Sequence, residues 1–375
     1  MKNMKNRSIR SQLPKLVREH GTPLFLISKS KLLAQVKRFR TLLPRVAPFY
    51  AMKSNSHPFI LKTFAQADIG FDVASAQEIE TVLGLGVNPK ALVYANTVKK
   101  PEALQFAARH KVDMMTFDNE YELNKISRYA PQARVLLRIK VPNVGSIVEL
   151  SLKFGAEPAD AMPLLIQANQ MGLKPVGISF HVGSQCLNVE NYFDALEMAS
   201  IIFKDAALKN IPLEILDIGG GFPIQYFEDD KDSFLTMSSA ISKEIDRLID
   251  PNIKIIAEPG RALCGPACVL VMRVIGKSIR GNKHWYYLDD GVYGSLSGIV
   301  YDRCKYQYKV FQRGIAQVTT LAGPTCDSFD IISVSEYLPE LDFGDIIYVE
   351  NIGAYSWVTA TYFNGIPPAK VVTLA

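Results

Sequence analysis

The stretch Pro175 to Phe222, PVGISFHVGSQCLNVENYFDALEMASIIFKDAALKNIPLEILDIGGGF, holds one complete strand, helix and strand cycle. Pro175 to Ser184 begins as an apolar, β-branched run, and Glu214 to Phe222 repeats that character before three consecutive glycines. Between them, Asn188 to Leu208 places apolar residues three and four apart, the period of an amphipathic helix. Two parallel strands need such a crossover, so the stretch reads as one βα repeat of a larger parallel sheet.

Outward from it the same alternation recurs. Strands are predicted at Pro48 to Ser54, Ile69 to Ser75, Leu92 to Asn96, Asp113 to Asp118 and Ala133 to Lys140 on one side, and at Lys254 to Arg261 on the other. Helical spacing returns over Gln77 to Leu85 and Glu102 to Ala108. Eight strands predict an α/β architecture, a (β/α)8 TIM-type barrel over residues 28–265, with a doubly wound open sheet as its competitor. From Ala267 onward the pattern changes. The runs Cys268 to Ile275, Trp285 to Leu288, Ala316 to Leu321 and Asp345 to Val349 have no long helices between them. They predict a second, β-rich domain over 266–375, to which residues 1–27 add a strand at Leu24 to Ile27.

Composition bounds the function. The 375 residues are 48% hydrophobic and 21% charged, as in an ordinary folded protein with ample core. The formal charge of +5 is spread without a dense basic block, which argues against nucleic acid as a partner. Cys186, Cys264, Cys268, Cys304 and Cys326 are an odd set without C-x-x-C spacing, so neither a disulfide framework nor a zinc site is expected, and a reducing cytoplasm is. Met1 to Leu13 is basic but lacks the apolar core of a secretory signal, and no window is long and apolar enough to predict a membrane span.

Barrels of this kind do their chemistry at the C-terminal ends of the strands, and here those ends are unusually polar. Lys53, Asp72, Asn96, Arg138, His181, Ser184, Gly219, Gly220, Gly221, Glu258 and Arg261 all fall there. Lys53 closes the apolar run Phe49-Tyr50-Ala51-Met52, where partial desolvation would lower its pKa toward that of an imine-forming amine. A lysine capping a strand at the surface is the plainer reading. The glycine run can offer successive N–H groups to an anion, or can be a plain turn. Arg261 can add a bidentate charge to the same anion. His181 can present a flat ring, or be a satisfied core histidine. Glu258 needs a cationic partner once water is excluded, and a protonated pyridine nitrogen would be one. Taken jointly, a lysine, a flat ring, an anion nest and a carboxylate match the parts of pyridoxal phosphate.

At this point the chain resembles the fold-type III decarboxylases related to ornithine decarboxylase, which pair an alanine-racemase-like barrel with a β domain. The motifs are PFYAMKSN at Pro48 to Asn55, GFDVAS at Gly70 to Ser75, FHVGS at Phe180 to Ser184, LDIGGGFP at Leu216 to Pro223 and AEPGR at Ala257 to Arg261. Later come DGVYGS at Asp290 to Ser295, GPTCD at Gly323 to Asp327 and ENIGAY at Glu350 to Tyr355. The resemblance implies pyridoxal 5'-phosphate as cofactor, with Lys53 its covalent anchor, His181 stacked on its ring and Glu258 on its ring nitrogen. It implies Ser184, Gly219, Gly220, Gly221, Gly260, Arg261 and Tyr355 around the phosphate. Asp72, Glu78, Arg138 and Lys153 would brace the site.

The resemblance further implies a cytoplasmic homodimer in which Cys326 and Asp327 reach the active site of the partner subunit. Cys326 would protonate the α-carbon. Asp302, Asp327 and Tyr293 would receive the substrate, and Phe363 would lie near the leaving carboxylate. Two carboxylates suit the distal ammonium of a basic amino acid, so decarboxylation of ornithine to putrescine, in polyamine synthesis, is expected. The alternatives are lysine or dual lysine and ornithine use, a catalytically inactive regulator of polyamine enzymes, and a racemase. A diaminopimelate pocket would carry the signature C-E-S, which is absent. Ser328 replaces a glycine common in the animal enzymes and bears on substrate preference. The chain stops at Ala375, so proteolysis through the long tail of those enzymes is not expected.

Overall fold

The structure is a computed structural model that describes residues 9–148 and 153–375. The chain forms two compact units. One comprises Leu32–Gln225 and Lys231–Leu263, and the other the residues up to Lys31, Tyr226–Asp230 and Cys264–Ala375.

The first unit is a closed barrel of eight parallel strands. In barrel order from the first they are Val46–Ala51, Gly70–Val73, Leu92–Tyr94, Met114–Phe117, Arg134–Arg138, Lys174–Ser179, Ile215–Asp217 and Lys254–Ala257. The crossover helices start where the sequence supplies caps. Ser75 Oγ accepts from Glu78 N at 3.2 Å, and Asn119 Oδ1 from Glu122 N at 2.9 Å. Pro58 and Pro101 open their helices at positions where a missing N–H costs nothing.

The barrel floor is apolar. Phe49, Val93, Met114, Leu136, Val176, Ile215 and Ile256 form one buried cluster, each from a different strand. The second strand contributes Gly70 at this level, and a Cβ there would lie 2.6 Å from the Phe49 ring, which fills the space itself. Side chains two residues apart share a face of a strand. The residue two beyond Gly70 is Asp72, beyond Leu136 is Arg138, beyond Ile215 is Asp217 and beyond Ile256 is Glu258. The pleat therefore raises a charged layer directly above the apolar one, at the C-terminal mouth.

The predicted strands overran this mouth. The first ends at Ala51 and passes into the 3-10 turn Met52–Ser54; the sixth ends at Ser179, and Ser184–Cys186 is a separate strand paired with Ser146–Val148. The seventh ends at Asp217, because Gly219 and Gly221 take φ of 64° and 101° and turn the chain away from the ladder. The eighth ends at Ala257, and Arg261 begins the short helix Arg261–Cys264.

In the second unit Cys268–Arg280 is the organising strand. It pairs antiparallel with Leu24–Ser28, with Ile346–Glu350 and, past an irregularity between Val274 and Gly276, with Lys283–Leu288. Such a break bends the strand, and the sheet curls around it. Gln317–Ala322 and the unpredicted strands Tyr308–Val310, Ile331–Leu338 and Lys370–Leu374 complete it. Leu13, Leu24, Leu26, Val269, Val271 and Tyr348 form a core here.

Candidate active site

Lys53 stands in the turn after the first strand and its Nζ donates to Asp72 Oδ2 at 2.6 Å. The lysine side chain keeps 45% of its surface exposed while the aspartate keeps 1%, so a reachable amine is held by a carboxylate that is not reachable. Asp72 Oδ1 is buried too and has no hydrogen-bond partner among the described residues. Glu78 braces the approach: its Oε2 accepts from Ala74 N at 2.7 Å. Burial, and then the charge of Asp72, push the Glu78 carboxyl above its ordinary pKa.

In the same layer, burial holds the Glu258 carboxyl well above the usual carboxylate range, with Asp217 and Asp72 adding like charge and Lys53 and Arg138 opposing them. Arg138 faces Glu258, Asp118, Asp217 and Asp72 together, and lies 5.3 Å from the Phe154 ring. Lys153 reaches the same ring at 4.9 Å. His181 Nδ1 accepts from Gly183 N at 3.0 Å, which leaves Nε2 to carry the proton of a neutral ring. Burial, then the charges of Arg138 and Lys53, keep its pKa well below 6.5, so the ring is neutral at pH 7. A neutral ring can lie against a cationic heterocycle without repulsion.

The anion cradle has one surprise. Arg261, buried, donates from Nη2 to Ser184 Oγ at 2.7 Å, as an arginine and hydroxyl aimed at one anion should. Of the three glycines expected to meet that anion, Gly219 turns its N–H down to Asp217 Oδ1 at 2.9 Å. The Gly220 and Gly221 amides donate to no backbone carbonyl among the described residues. Tyr192 Oη donates to Gly220 O at 2.9 Å and Cys186 N to Gly221 O at 2.8 Å, so both carbonyls are tied back. Gly220 must be glycine: a Cβ would lie 2.9 Å from His181 Nε2 and 2.8 Å from Glu258 O. Gly260 packs the eighth-strand loop onto the Lys53 turn, where a Cβ would meet Ser54 at 2.8 Å.

The second unit holds its own cluster. Tyr293 Oη donates to Asp327 Oδ2 at 2.5 Å, and its ring stacks on Phe363 at 4.3 Å. The N–H of Phe329, then the Tyr293 hydroxyl, hold the Asp327 carboxyl below its ordinary pKa. Cys326 is exposed and its amide donates to Asn364 Oδ1 at 3.1 Å. Asp302 is buried, and Cys304 Sγ donates to its Oδ2 at 3.1 Å while Tyr226 Oη meets the same sulfur at 3.3 Å. Tyr355 sits in the loop after Ile346–Glu350 with φ of 51°. Sequence reasoning assigned nothing to Asp217, Tyr192 or Cys304. Only Asp217 had a signal, a carboxylate inside the apolar run Ile215 to Ile218.

Comparison with known proteins places this geometry. A family model described as the pyridoxal-binding domain of pyridoxal-dependent decarboxylases matches residues 29–265. The lysine/ornithine decarboxylase of Selenomonas ruminantium is 41% identical over 370 residues, covering 98% of this chain and 94% of that one. Ornithine decarboxylase of Schizosaccharomyces pombe is 39% identical, covering 91% of this chain and 80% of that protein. A solved structure described as SrLDC with PLP and cadaverine superposes with a TM-score of 0.92 at 39% identity, covering 100% of this chain and 95% of the other.

Proposed function

Because this chain belongs to the pyridoxal-dependent decarboxylases, we propose that it removes the α-carboxylate of ornithine, releasing putrescine and carbon dioxide for polyamine synthesis. Pyridoxal phosphate is the cofactor. The residues present fit it: a reachable amine, a buried carboxylate layer and an arginine–serine pair beside a glycine turn occur on one rim. When bound, it supplies an electron sink for the pair of electrons left as carbon dioxide departs.

The chain's own groups do the rest. Lys53 would anchor the cofactor through Nζ, with Asp72 holding the lysine amine. His181 would support the ring face, and Glu258 would accept from the ring N–H. Gly220, Gly221, Ser184, Gly260, Arg261 and Tyr355 hold the phosphate, with Gly219 shaping the turn. Arg138 balances the carboxylates. On the substrate side, Asp302 and Asp327 take the distal ammonium, Tyr293 and Phe363 line its path, and Cys326 returns a proton to the α-carbon. Cys326 and Asp327 serve a second copy of the chain, which makes the working unit a homodimer. Five free cysteines, Cys326 exposed among them, support a reducing cytoplasm as its location.

The single observation that carries the reading is the Lys53 amine, exposed yet held 2.6 Å from buried Asp72 above the Glu258 layer. The deciding experiment incubates purified protein with ornithine, lysine, arginine and diaminopimelate and measures carbon dioxide. The highest kcat/KM is expected for ornithine. A second reading, lysine or both, is favoured by the name of the Selenomonas relative. One methylene changes burial by only about 0.8 kcal/mol, and pockets discriminate pairs that differ by one by roughly 10- to 200-fold. A higher value for lysine would exchange the two readings, and no carbon dioxide from any of the four would end both.

A further inference from the structure

Gln185 directly follows Ser184, and nothing proposed so far gives it a task. It is 5% exposed, a long amide closed in beside the phosphate cradle. Its Nε2 donates to Ile224 O at 2.6 Å and its Oε1 accepts from Ile224 N at 3.0 Å. The side-chain amide therefore meets both polar groups of one backbone residue, as a neighbouring strand would. A backbone N–H only donates and a carbonyl only accepts, so the amide has one orientation that satisfies both.

The two segments it joins are the two walls of the cradle. Ser184, with the Arg261 guanidinium on its hydroxyl, stands one residue before Gln185, and Gly221 stands three before Ile224. The walls already meet at one point: Cys186 N donates to Gly221 O at 2.8 Å, and a Cβ on Gly221 would lie 2.5 Å from Gly183 O. One point of attachment leaves the Ser184 turn free to swing about it. The Gln185 pair adds a second point further along the glycine exit and removes that freedom. Gln185 also takes φ of 50°, a left-handed conformation that glycine adopts freely and glutamine only at a cost. Such strain persists where the surroundings over-determine it, and the two bonds to Ile224 do so here.

We propose that Gln185 is a positioning residue whose amide clamps the Ser184 turn to the exit of the glycine run, holding both walls of the phosphate cradle at one spacing. The inference rests on the assignment of the phosphate to this cradle and goes beyond it, because Gln185 acts through Ser184 and the glycine turn. A phosphate is held from both walls at once, so drift of either wall lengthens its hydrogen bonds. The cofactor ring, anchored at Lys53, does not depend on that spacing.

Dissociation constants of pyridoxal phosphate and of pyridoxal, which keeps the ring and aldehyde but lacks the phosphate, are measured by absorbance on cofactor-free protein. Gln185→Met keeps the stem and loses both bonds, whereas Gln185→Gly loses them and relieves the backbone. Each is expected to weaken pyridoxal phosphate about tenfold, as loss of a hydrogen-bond pair predicts, and to leave pyridoxal within about twofold of wild type. A glutamine with a merely structural role would weaken both ligands alike or neither, and either result overturns the proposal. Circular dichroism checks the fold, and the glycine variant, which suits the local φ, decides where Gln185→Met does not fold. Ser184→Ala tests the underlying assignment. Selective loss of pyridoxal phosphate in Ser184→Ala alone overturns the clamp and keeps the cradle, while no selective loss in any of the three variants withdraws both.

Discussion

Glu258→Gln keeps the shape of the side chain and removes its charge, which isolates the electrostatic part of its proposed role. Glu258 is 8% exposed, so water screens little of what it does. A ceiling comes from a unit charge pair about 3 Å apart at an effective dielectric of about 20, roughly 5 kcal/mol. A floor comes from the difference between hydrogen bonds to charged and neutral groups, about 1–2 kcal/mol. Only the part that grows as charge moves onto the ring counts toward rate, so a loss of about 2–3 kcal/mol, or roughly 30- to 150-fold in kcat, is expected. Cofactor affinity should change far less, because Lys53 and the Ser184–Arg261 cradle hold the molecule at other points. The assay pairs kcat at saturating ornithine with cofactor occupancy read by absorbance. A kcat within threefold of wild type would refute the role. A loss of affinity equal to the loss of kcat would refute the reasoning too, since it would make Glu258 a plain binding group.

Three further outcomes are expected. Lys53→Ala abolishes turnover, and borohydride reduction of the wild-type protein fixes the cofactor to Lys53 alone by peptide mapping; label on another lysine ends the assignment. Asp302→Asn raises the KM for ornithine at least about tenfold and leaves cofactor binding intact, because a charge-assisted contact to the distal ammonium becomes a neutral one; an unchanged KM moves that contact elsewhere. Lys53→Ala and Cys326→Ala proteins, each nearly inactive alone, regain about a quarter of wild-type activity when mixed, since about half of freely exchanged dimers are mixed and each of those has one intact site. No recovery, with exchange verified by differently tagged subunits, excludes sites shared between subunits.

The barrel was legible because its strands alternate with helices at a regular spacing and each strand is buried on both faces, which leaves apolar runs that composition alone picks out. The strand ends were not. Pro175 to Ser184 reads as one run because Phe180 and Val182 are apolar, yet the ladder stops at Ser179 where its neighbours end, and Phe180 N is already held by Asp217 O at 3.0 Å. Rim residues were found because polar side chains stand out at those ends. Asp217 was passed over because it sits inside the strand, where a carboxylate looks like the approach to a glycine turn; its Oδ1 accepts from Gly219 N in the turn that follows. Tyr226, Cys304 and Asp302 could not be joined from sequence at all, since 78 residues separate the tyrosine from the cysteine. The short strands Tyr308–Val310 and Lys370–Leu374 were missed for a similar reason, their ladder partners lying far along the chain.

Substrate choice follows a different logic from the chemistry. The charged layer of the barrel, from Asp72 to Glu258, holds groups suited to a cofactor ring and to its lysine, and none of them measures the length of a side chain. On the proposed reading that task falls to Asp302 and Asp327, and the two are held very differently. Asp302 is buried, with Cys304 Sγ donating to Oδ2 at 3.1 Å and Tyr226 behind the sulfur, so it can shift only by breaking a buried contact. Asp327 is anchored by Tyr293 and the Phe329 amide in a more accessible loop, next to exposed Cys326 and Phe329. A fixed carboxylate favours one chain length, and an adaptable one tolerates a second. Loosening Asp302 should therefore narrow the gap between ornithine and lysine without touching kcat for either, and Cys304→Ala is the substitution that loosens it while leaving the carboxylate in place. A kcat/KM ratio for the two substrates that is unchanged in Cys304→Ala would shift the length discrimination away from Asp302.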